Sequence, residues 1–185
     1  MKKEKIAVFC GSRTGVRSVY MEAAKALGRK LAQEERTVLF GGCDSGLMQA
    51  VSQAAYEQGG KVVSVRIRGL EDAYDAGIIH EDEQMSNVQL RKRRLIERAD
   101  ACLVLPGGLG TLDEMGDVYA MAQLGDIRRP MGILNLQGYY DGFLQWVDTM
   151  HREGFLSDRD RQMILVEEDM DRLLQKLDGW EMGEN

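Results

Sequence analysis

The stretch ACLVLPGGLGTLDE, residues 101–114, reads as three elements in succession. Ala101 to Leu105 is a short, wholly apolar run, the pattern of a strand buried on both faces. Pro106 to Thr111 carries Gly107, Gly108 and Gly110 in one tight turn, and near Thr111 the sequence becomes helical. A strand that feeds a helix through a glycine turn is the unit from which parallel sheets are wound.

The same order recurs on both sides. Toward the N-terminus, Lys5 to Cys10 reads as a buried strand. A helix over roughly Val16 to Gln33 follows, with Tyr20, Ala23, Ala24, Leu27 and Leu31 at helical spacing. Thr37 to Phe40 is a second strand, Leu47 to Gln58 a second helix and Lys61 to Val65 a third strand. An irregular, acidic stretch is expected from Gly69 to Gln84. A helix from about Asn87 to Arg98 then leads into the fourth strand, Ala101 to Leu105. Met131 to Leu134 is a fifth strand and Tyr139 to Arg152 a helix, and Met163 to Val166 reads as a short last strand before a C-terminal helix. The expected fold is α/β: a single-domain, doubly wound, mainly parallel, Rossmann-like sheet over residues 1–185, with helices on both faces. Right-handed crossovers favour the strand order 3-2-1-4-5. Strands one and four are then neighbours, and the gap between their carboxyl ends is the switch point where ligands bind.

Bulk properties narrow the partners. The 185 residues are 44% hydrophobic and 29% charged, an ordinary globular composition. A net charge of −6 argues against nucleic acid as the main partner. No apolar run reaches the roughly 18 residues needed to span a bilayer. Cys10, Cys43 and Cys102 form no CxxC pair and have no histidine at ligand spacing, so they read as buried structural thiols of a reducing cytoplasm.

Three glycine turns precede helices: Gly11 to Gly15 after strand one, Gly41 to Gly46 after strand two, and Pro106 to Thr111 after strand four. One such turn is adequately explained as a tight connection. Three on one edge of a sheet point to a phosphate, because glycine lets backbone approach a ligand and helix N-termini offer free N–H groups. Gly41 to Gly46 has Walker A spacing, but Leu47 and Met48 stand where lysine and a hydroxyl are required. Gly108 and Gly110 open a GxGxxG whose third position is Asp113, and the first turn lacks the triplet as well. Nucleoside triphosphate hydrolysis and dinucleotide redox chemistry are disfavoured, leaving a smaller phosphate-bearing ligand.

Arg91, Lys92, Arg93 and Arg94 form a basic run on one helix. Arg93 precedes Glu97 by four residues, an exposed pairing, and Arg94 reads as a surface residue. Arg91 and Lys92 lie on the stripe of Val88, Leu95 and Ala99 that faces the sheet, where a cation needs an anionic partner. Thr111 to Glu114 matches a capping box, which by itself would explain Glu114. The alternative, a carboxylate aimed into the ligand crevice, is left open by capping alone.

The ordered set Arg91-Lys92, Ala99-Asp100 and Pro106-Gly107-Gly108-Leu109-Gly110-Thr111-Leu112-Asp113-Glu114 resembles the RK…AD…PGGxGTxxE signature of the LOG family, also called lysine decarboxylase-like. Cys10-Gly11-Ser12, Gly41-Gly42, Gly46-Leu47-Met48, Tyr119 to Gly125 and Asn135 to Tyr140 resemble its other segments, so the similarity spans about Ile6 to Leu156. Val88, Leu90, Cys43 and Arg13 depart from the family pattern, which bears on substrate preference. The resemblance implies a phosphoribohydrolase that cleaves the N-glycosidic bond of a nucleoside 5′-monophosphate, AMP or an N6-substituted cytokinin type. It implies Arg91 and Glu114 as the catalytic pair. The implied substrate-binding residues are Gly11, Ser12, Arg13, Gly41, Gly42, Gly46, Met48, Lys92, Pro106, Gly107, Gly108, Gly110 and Thr111. No metal and no cofactor are expected, and a cytoplasmic homodimer is. The competing expectation is a non-catalytic nucleotide or cofactor carrier of the same fold, which would need the glycines but not both charges. Pyridoxal phosphate chemistry would need a Schiff-base lysine, which the signature does not supply.

Overall fold

The computed structural model describes residues 1–69 and 76–181. The elements are β1 (Lys5–Phe9), α1 (Ser18–Gln33), β2 (Thr37–Phe40), α2 (Gly46–Glu57), β3 (Val62–Ile67), β4 (Glu81–Met85), α3 (Val88–Arg98) and β5 (Ala101–Val104). They continue with α4 (Leu109–Gln123), β6 (Met131–Leu134), α5 (Asp141–Arg152), α6 (Asp158–Gln162), β7 (Ile164–Glu167) and α7 (Met170–Gly179). The strands form one all-parallel sheet in the order β4-β3-β2-β1-β5-β6-β7. The five inner strands follow the expected 3-2-1-4-5 order, with β1 and β5 adjacent: Ile6 pairs with Ala101 and Phe9 with Val104.

Alternation along β1 shows why both faces need cover. Ile6 and Val8 enter one core with Leu27, Leu31, Leu47, Val51, Leu173 and Leu177, from α1, α2 and α7. Ala7 and Phe9 enter the other, with Leu95, Ile96, Met115, Val118 and Val147, from α3, α4 and α5. Successive strand residues point to opposite faces, so a run without polar residues must be buried on both.

Two expectations are corrected. The stretch Gly69 to Gln84 was expected to be irregular; residues 70–75 lie outside the described residues, but Glu81–Met85 is the edge strand β4. Its residues are almost all polar, so it carries no apolar signature. It is held by pairing with β3 and by charge: Lys61 and Arg98 meet Glu81, Arg66 and Ser64 meet Asp82, and Arg94 and Arg98 meet Glu83. Charged edges also discourage pairing with other chains. Cys10 and Cys102 are buried thiols, but Cys43 is only partly buried, with its Sγ 3.2 Å from Ser45 Oγ on the loop before α2.

At the amino ends of the central strands, buried Arg36 holds Asp178 of α7 through two bonds of 2.8 and 2.7 Å and donates to Lys3 O at 2.8 Å. This ties the C-terminal helix to the starts of β1 and β2, on the side of the sheet opposite the switch point. Among the described residues, no helix is long and apolar enough to cross a membrane.

Candidate active site

A cavity of about 520 Å³ opens at the carboxyl ends of β1 and β5, where the strand order reverses. Its wall comes from Cys10 to Arg13 after β1, Met48 on α2, Val88, Arg91 and Lys92 on α3, and Gly108 to Thr111, Asp113 and Glu114 at the start of α4. The volume lies within the range for small-molecule ligands.

The start of α4 differs from expectation. The helix begins at Leu109, with Gly108 in extended conformation at the N-cap and no side-chain cap bond. Thr111 is therefore the third helical residue and Glu114 the sixth, so the expected capping box does not form. Glycine is acceptable at this cap position, and Leu112 N donates to Gly108 O at 3.0 Å, starting the helix three residues before the capping box would. The shift turns Thr111 inward over Gly107 and Glu114 toward α3. A Cβ at Gly107 would lie 2.1 Å from Thr111 Oγ1, so this glycine is where the threonine packs. The first-turn N–H groups of α4 face the cavity end, a site suited to an anion.

Glu114 is buried, and its Oε1 accepts from Arg91 Nη1 at 2.5 Å. Arg91 Nε donates to Val65 O at 3.2 Å. The third side of the guanidinium rests on Gly41, where a Cβ would stand 1.6 Å from Nη2. A carbonyl of β3, a carboxylate of α4 and a glycine just after β2 thus fix the arginine. Burial pushes the Glu114 carboxyl above its ordinary range, while the charge and hydrogen bond of Arg91 pull it back. Lys92 is 2% exposed, with Nζ 2.8 Å from both Asp113 Oδ2 and Asp117 Oδ2 on α4. Arg93 pairs with Glu97 at 2.8 Å and Arg94 with Glu83 at 2.6 Å, both on the outer face.

The glycine turn after β5 is held from outside. Tyr139 Oη donates to Gly107 O at 2.5 Å and Tyr140 Oη to Leu105 O at 2.8 Å. Asn135 sets these tyrosines: its Oδ1 accepts from Tyr140 N at 2.8 Å and its Nδ2 donates to Asp141 Oδ1 at 2.8 Å.

Of the residues singled out from sequence, the structure brings Gly11, Ser12, Arg13, Met48, Arg91, Lys92, Gly108, Gly110, Thr111 and Glu114 onto one cavity wall. Gly41, Gly42, Gly46, Pro106 and Gly107 do not line it. Gly41 and Gly107 make room for Arg91 and Thr111, while Gly42 (φ +76°) approaches Arg66 and Gly46 (φ +60°) lies against the Ser12–Arg13 backbone. Pro106 O accepts from Gly11 N at 3.0 Å, joining the first and third turns. These five shape the wall from behind. Cys10, Val88, Leu109 and Asp113 line the cavity without having been singled out, and Asp117 joins them through Lys92. Asp113 and Asp117 are four apart on α4, a spacing that puts both on one helix face.

A doubly wound sheet with a largely buried arginine–glutamate pair beside a glycine turn at its switch point defines a Rossmann-type α/β class. Residues 48–177 match the family described as "Possible lysine decarboxylase". The cytokinin riboside 5′-monophosphate phosphoribohydrolase LOG7 of Arabidopsis thaliana is 37% identical over 179 residues, 96% of this chain and 82% of the relative. The probable enzyme of that name LOGL6 from Oryza sativa subsp. japonica is 37% identical over 177 residues, covering 95% and 71%. The chain belongs to this LOG-type, lysine decarboxylase-like family of phosphoribohydrolases, as its signature implied. Among solved structures, the molybdenum cofactor binding protein of Rippkaea orientalis superposes with a TM-score of 0.70 at 18% identity, over 95% of this chain and 98% of that one. The likeness at that identity is one of fold.

Proposed function

We propose that the protein hydrolyses the N-glycosidic bond of a nucleoside 5′-monophosphate, AMP or an N6-substituted relative, to free base and ribose 5-phosphate. The observation that carries the proposal is the Arg91–Glu114 pair, buried at 2.5 Å in the wall of a cavity that also holds the N-terminus of α4. Breaking the bond places positive charge on the ribose in an oxocarbenium-like transition state. Glu114 supplies a carboxylate to stabilise that charge and to orient and deprotonate the attacking water. Arg91 keeps the carboxylate in place and remains charged throughout, so it acts as a clamp and not as a proton donor. The phosphate is assigned to the first turn of α4 at Gly108, Gly110 and Thr111, with Ser12 and Arg13 opposite.

The named relatives support the substrate class, since their names specify riboside 5′-monophosphates. Pyridoxal phosphate does not fit this cavity. Lys92 is the lysine in its wall, and a Schiff base needs a neutral amine, whereas Asp113 and Asp117 raise its pKa against the effect of burial. A carrier role needs no reacting carboxylate, so the pair favours the enzyme. A homodimer and a cytoplasmic setting belong to the same proposal. Exposed Leu112, Trp146 and Phe155 near an apolar recess between α4 and α5 support the former, and free thiols the latter.

The test is incubation with a panel of nucleoside monophosphates and the matching nucleosides, with chromatography of released base and assay of ribose 5-phosphate. Base and ribose 5-phosphate in equal amounts from AMP-type substrates, with nucleosides nearly inert, is the expected result. Equal turnover of adenosine and AMP would remove the phosphate anchor from the proposal.

A further inference from the structure

Lys92 stands next to Arg91 in a basic run and lines the same cavity, which suggests a phosphate ligand. Its surroundings suggest otherwise. An ammonium has three donors, and two here reach Asp113 and Asp117 at 2.8 Å each. The side chain is 2% exposed, whereas Asp113 and Asp117 are 57% and 33% exposed. An incoming phosphate would find one donor left, on a side chain with almost no open surface and beside two carboxylates. The two aspartates flank Glu114 on α4, one residue before and three residues after. We propose that Lys92 is a positioning residue: by holding Asp113 and Asp117 it offsets the negative charge around Glu114 and sets the pH at which Glu114 becomes a working carboxylate.

This inference rests on reading Glu114 as the reacting carboxylate. The charged and titratable groups around Glu114 come from several elements. Arg91 and Lys92 reach it from α3, Asp113 and Asp117 share α4, and Arg13 stands in the cavity wall after β1. Cys10, at the end of β1, and Cys102, on β5, complete the surroundings, but burial raises both thiols, Cys102 to about 12, so they are neutral at working pH. Asp113 raises the Glu114 carboxyl and Lys92 lowers it, both after the larger effects of burial and Arg91. The Lys92–Asp113–Asp117 group carries one net negative charge. Loss of the lysine would make it two, and loss of one aspartate charge would make it zero. Because both aspartates reach solvent, removing the ammonium strands no fully buried anion.

The experiment compares the full chain with Lys92→Met, Asp117→Asn and the double variant. For each, kcat/KM for AMP is measured against pH, and the Glu114 side-chain carboxyl is titrated by carbon-13 NMR. The acidic limb and the Glu114 titration are expected to move up by about half a unit or more in Lys92→Met. They should move down in Asp117→Asn and return near the wild-type value in the double variant, whose charge matches wild type. A severalfold rise in KM for AMP with an unmoved limb, not rescued in the double variant, would make Lys92 a substrate ligand and overturn the proposal. If Lys92→Met fails to fold, Asp117→Asn decides alone, and an unmoved limb overturns the proposal. If the wild-type protein releases no base, the functional reading has failed, and the NMR titrations alone settle whether Lys92 controls Glu114.

Discussion

Arg91 and Lys92 are 13% and 2% exposed, whereas Arg93 and Arg94, the next two residues of α3, are 60% and 46% exposed. All four are paired with carboxylates, so the ion pairs themselves do not distinguish them. Their partners do. The inner two meet Glu114, Asp113 and Asp117 across a cavity wall, while the outer two meet Glu97 one helical turn on and Glu83 on the sheet edge. Helical phase has sorted one basic run into a buried half that faces the ligand site and a solvated half that braces an edge. Exposed pairs are screened by water and salt, and a buried pair is not. Substitutions on the two sides should therefore differ in kind, with function lost on one and little changed on the other.

The largest expected effect is at Glu114. Glu114→Gln keeps a hydrogen-bonding oxygen for Arg91 but removes the charge. Base release should fall by about two orders of magnitude or more. Stability should not follow. The folded-state pKa of Glu114 lies above its unfolded value, so folding disfavours the ionised form once pH exceeds the unfolded value. Glutamine removes that cost, and thermal melting at neutral pH is expected within a few degrees of wild type. Near-normal turnover with a lowered melting temperature would make Glu114 a structural residue.

Gly41→Ala sharpens the comparison without touching a charge. Its Cβ would occupy the space 1.6 Å from Arg91 Nη2, and the end of a flexible side chain can yield where backbone cannot. The fold should survive while the guanidinium shifts, and displacements of about 1 Å at a reacting site can cost up to a hundredfold in rate. A loss of about tenfold or more in kcat/KM with an unchanged melting temperature is expected. Full activity would show that the arginine does not need this seat.

The outer side offers the smallest effect. Lys61 and Arg98 hold the Glu81 carboxyl down to about 2. A depressed folded pKa contributes stability above the unfolded value near 4.5, and this is lost as pH falls toward 2. Urea unfolding of wild type and Glu81→Gln should therefore differ slightly at pH 6, with the difference shrinking below about pH 4.5 and vanishing only as pH falls through about 2, and with activity at neutral pH unaffected. A difference that grows in acid would reverse the assigned sign.

The same contrast explains how much could be read from sequence. β1, β2, β3, β5 and β6 are runs such as IAVF and ACLV, whose burial on both faces leaves an apolar signature in the chain itself. β4 is EDEQM, and its strand character comes from Ser64, Arg66, Arg94 and Arg98, which lie on other elements. Arg91 and Glu114 could be singled out by phase and family signature. The pairing of Lys92 with Asp113 and Asp117 could not, because it depends on α3 lying against α4. Local capping chemistry places the N-cap of α4 at Thr111, three residues beyond the observed Gly108, and only packing against Gly107 shows which way Thr111 turns. Gly41 and Gly107 also give close approach to Arg91 and Thr111 of the same chain, contacts between elements that no local pattern shows.

The most direct measurement compares Arg91→Ala with Arg93→Ala, using steady-state base release from the best monophosphate of the substrate panel. Arg91→Ala should lower kcat/KM by about two orders of magnitude or more, and lysine should rescue it poorly because it lacks the planar fork that grips a carboxylate. Arg93→Ala should stay within about twofold of wild type, since its exposed pair with Glu97 touches neither cavity nor core. Equal losses in the two variants would contradict the division of α3 into a functional and a solvated face, and would make the basic run a general attractor of anions.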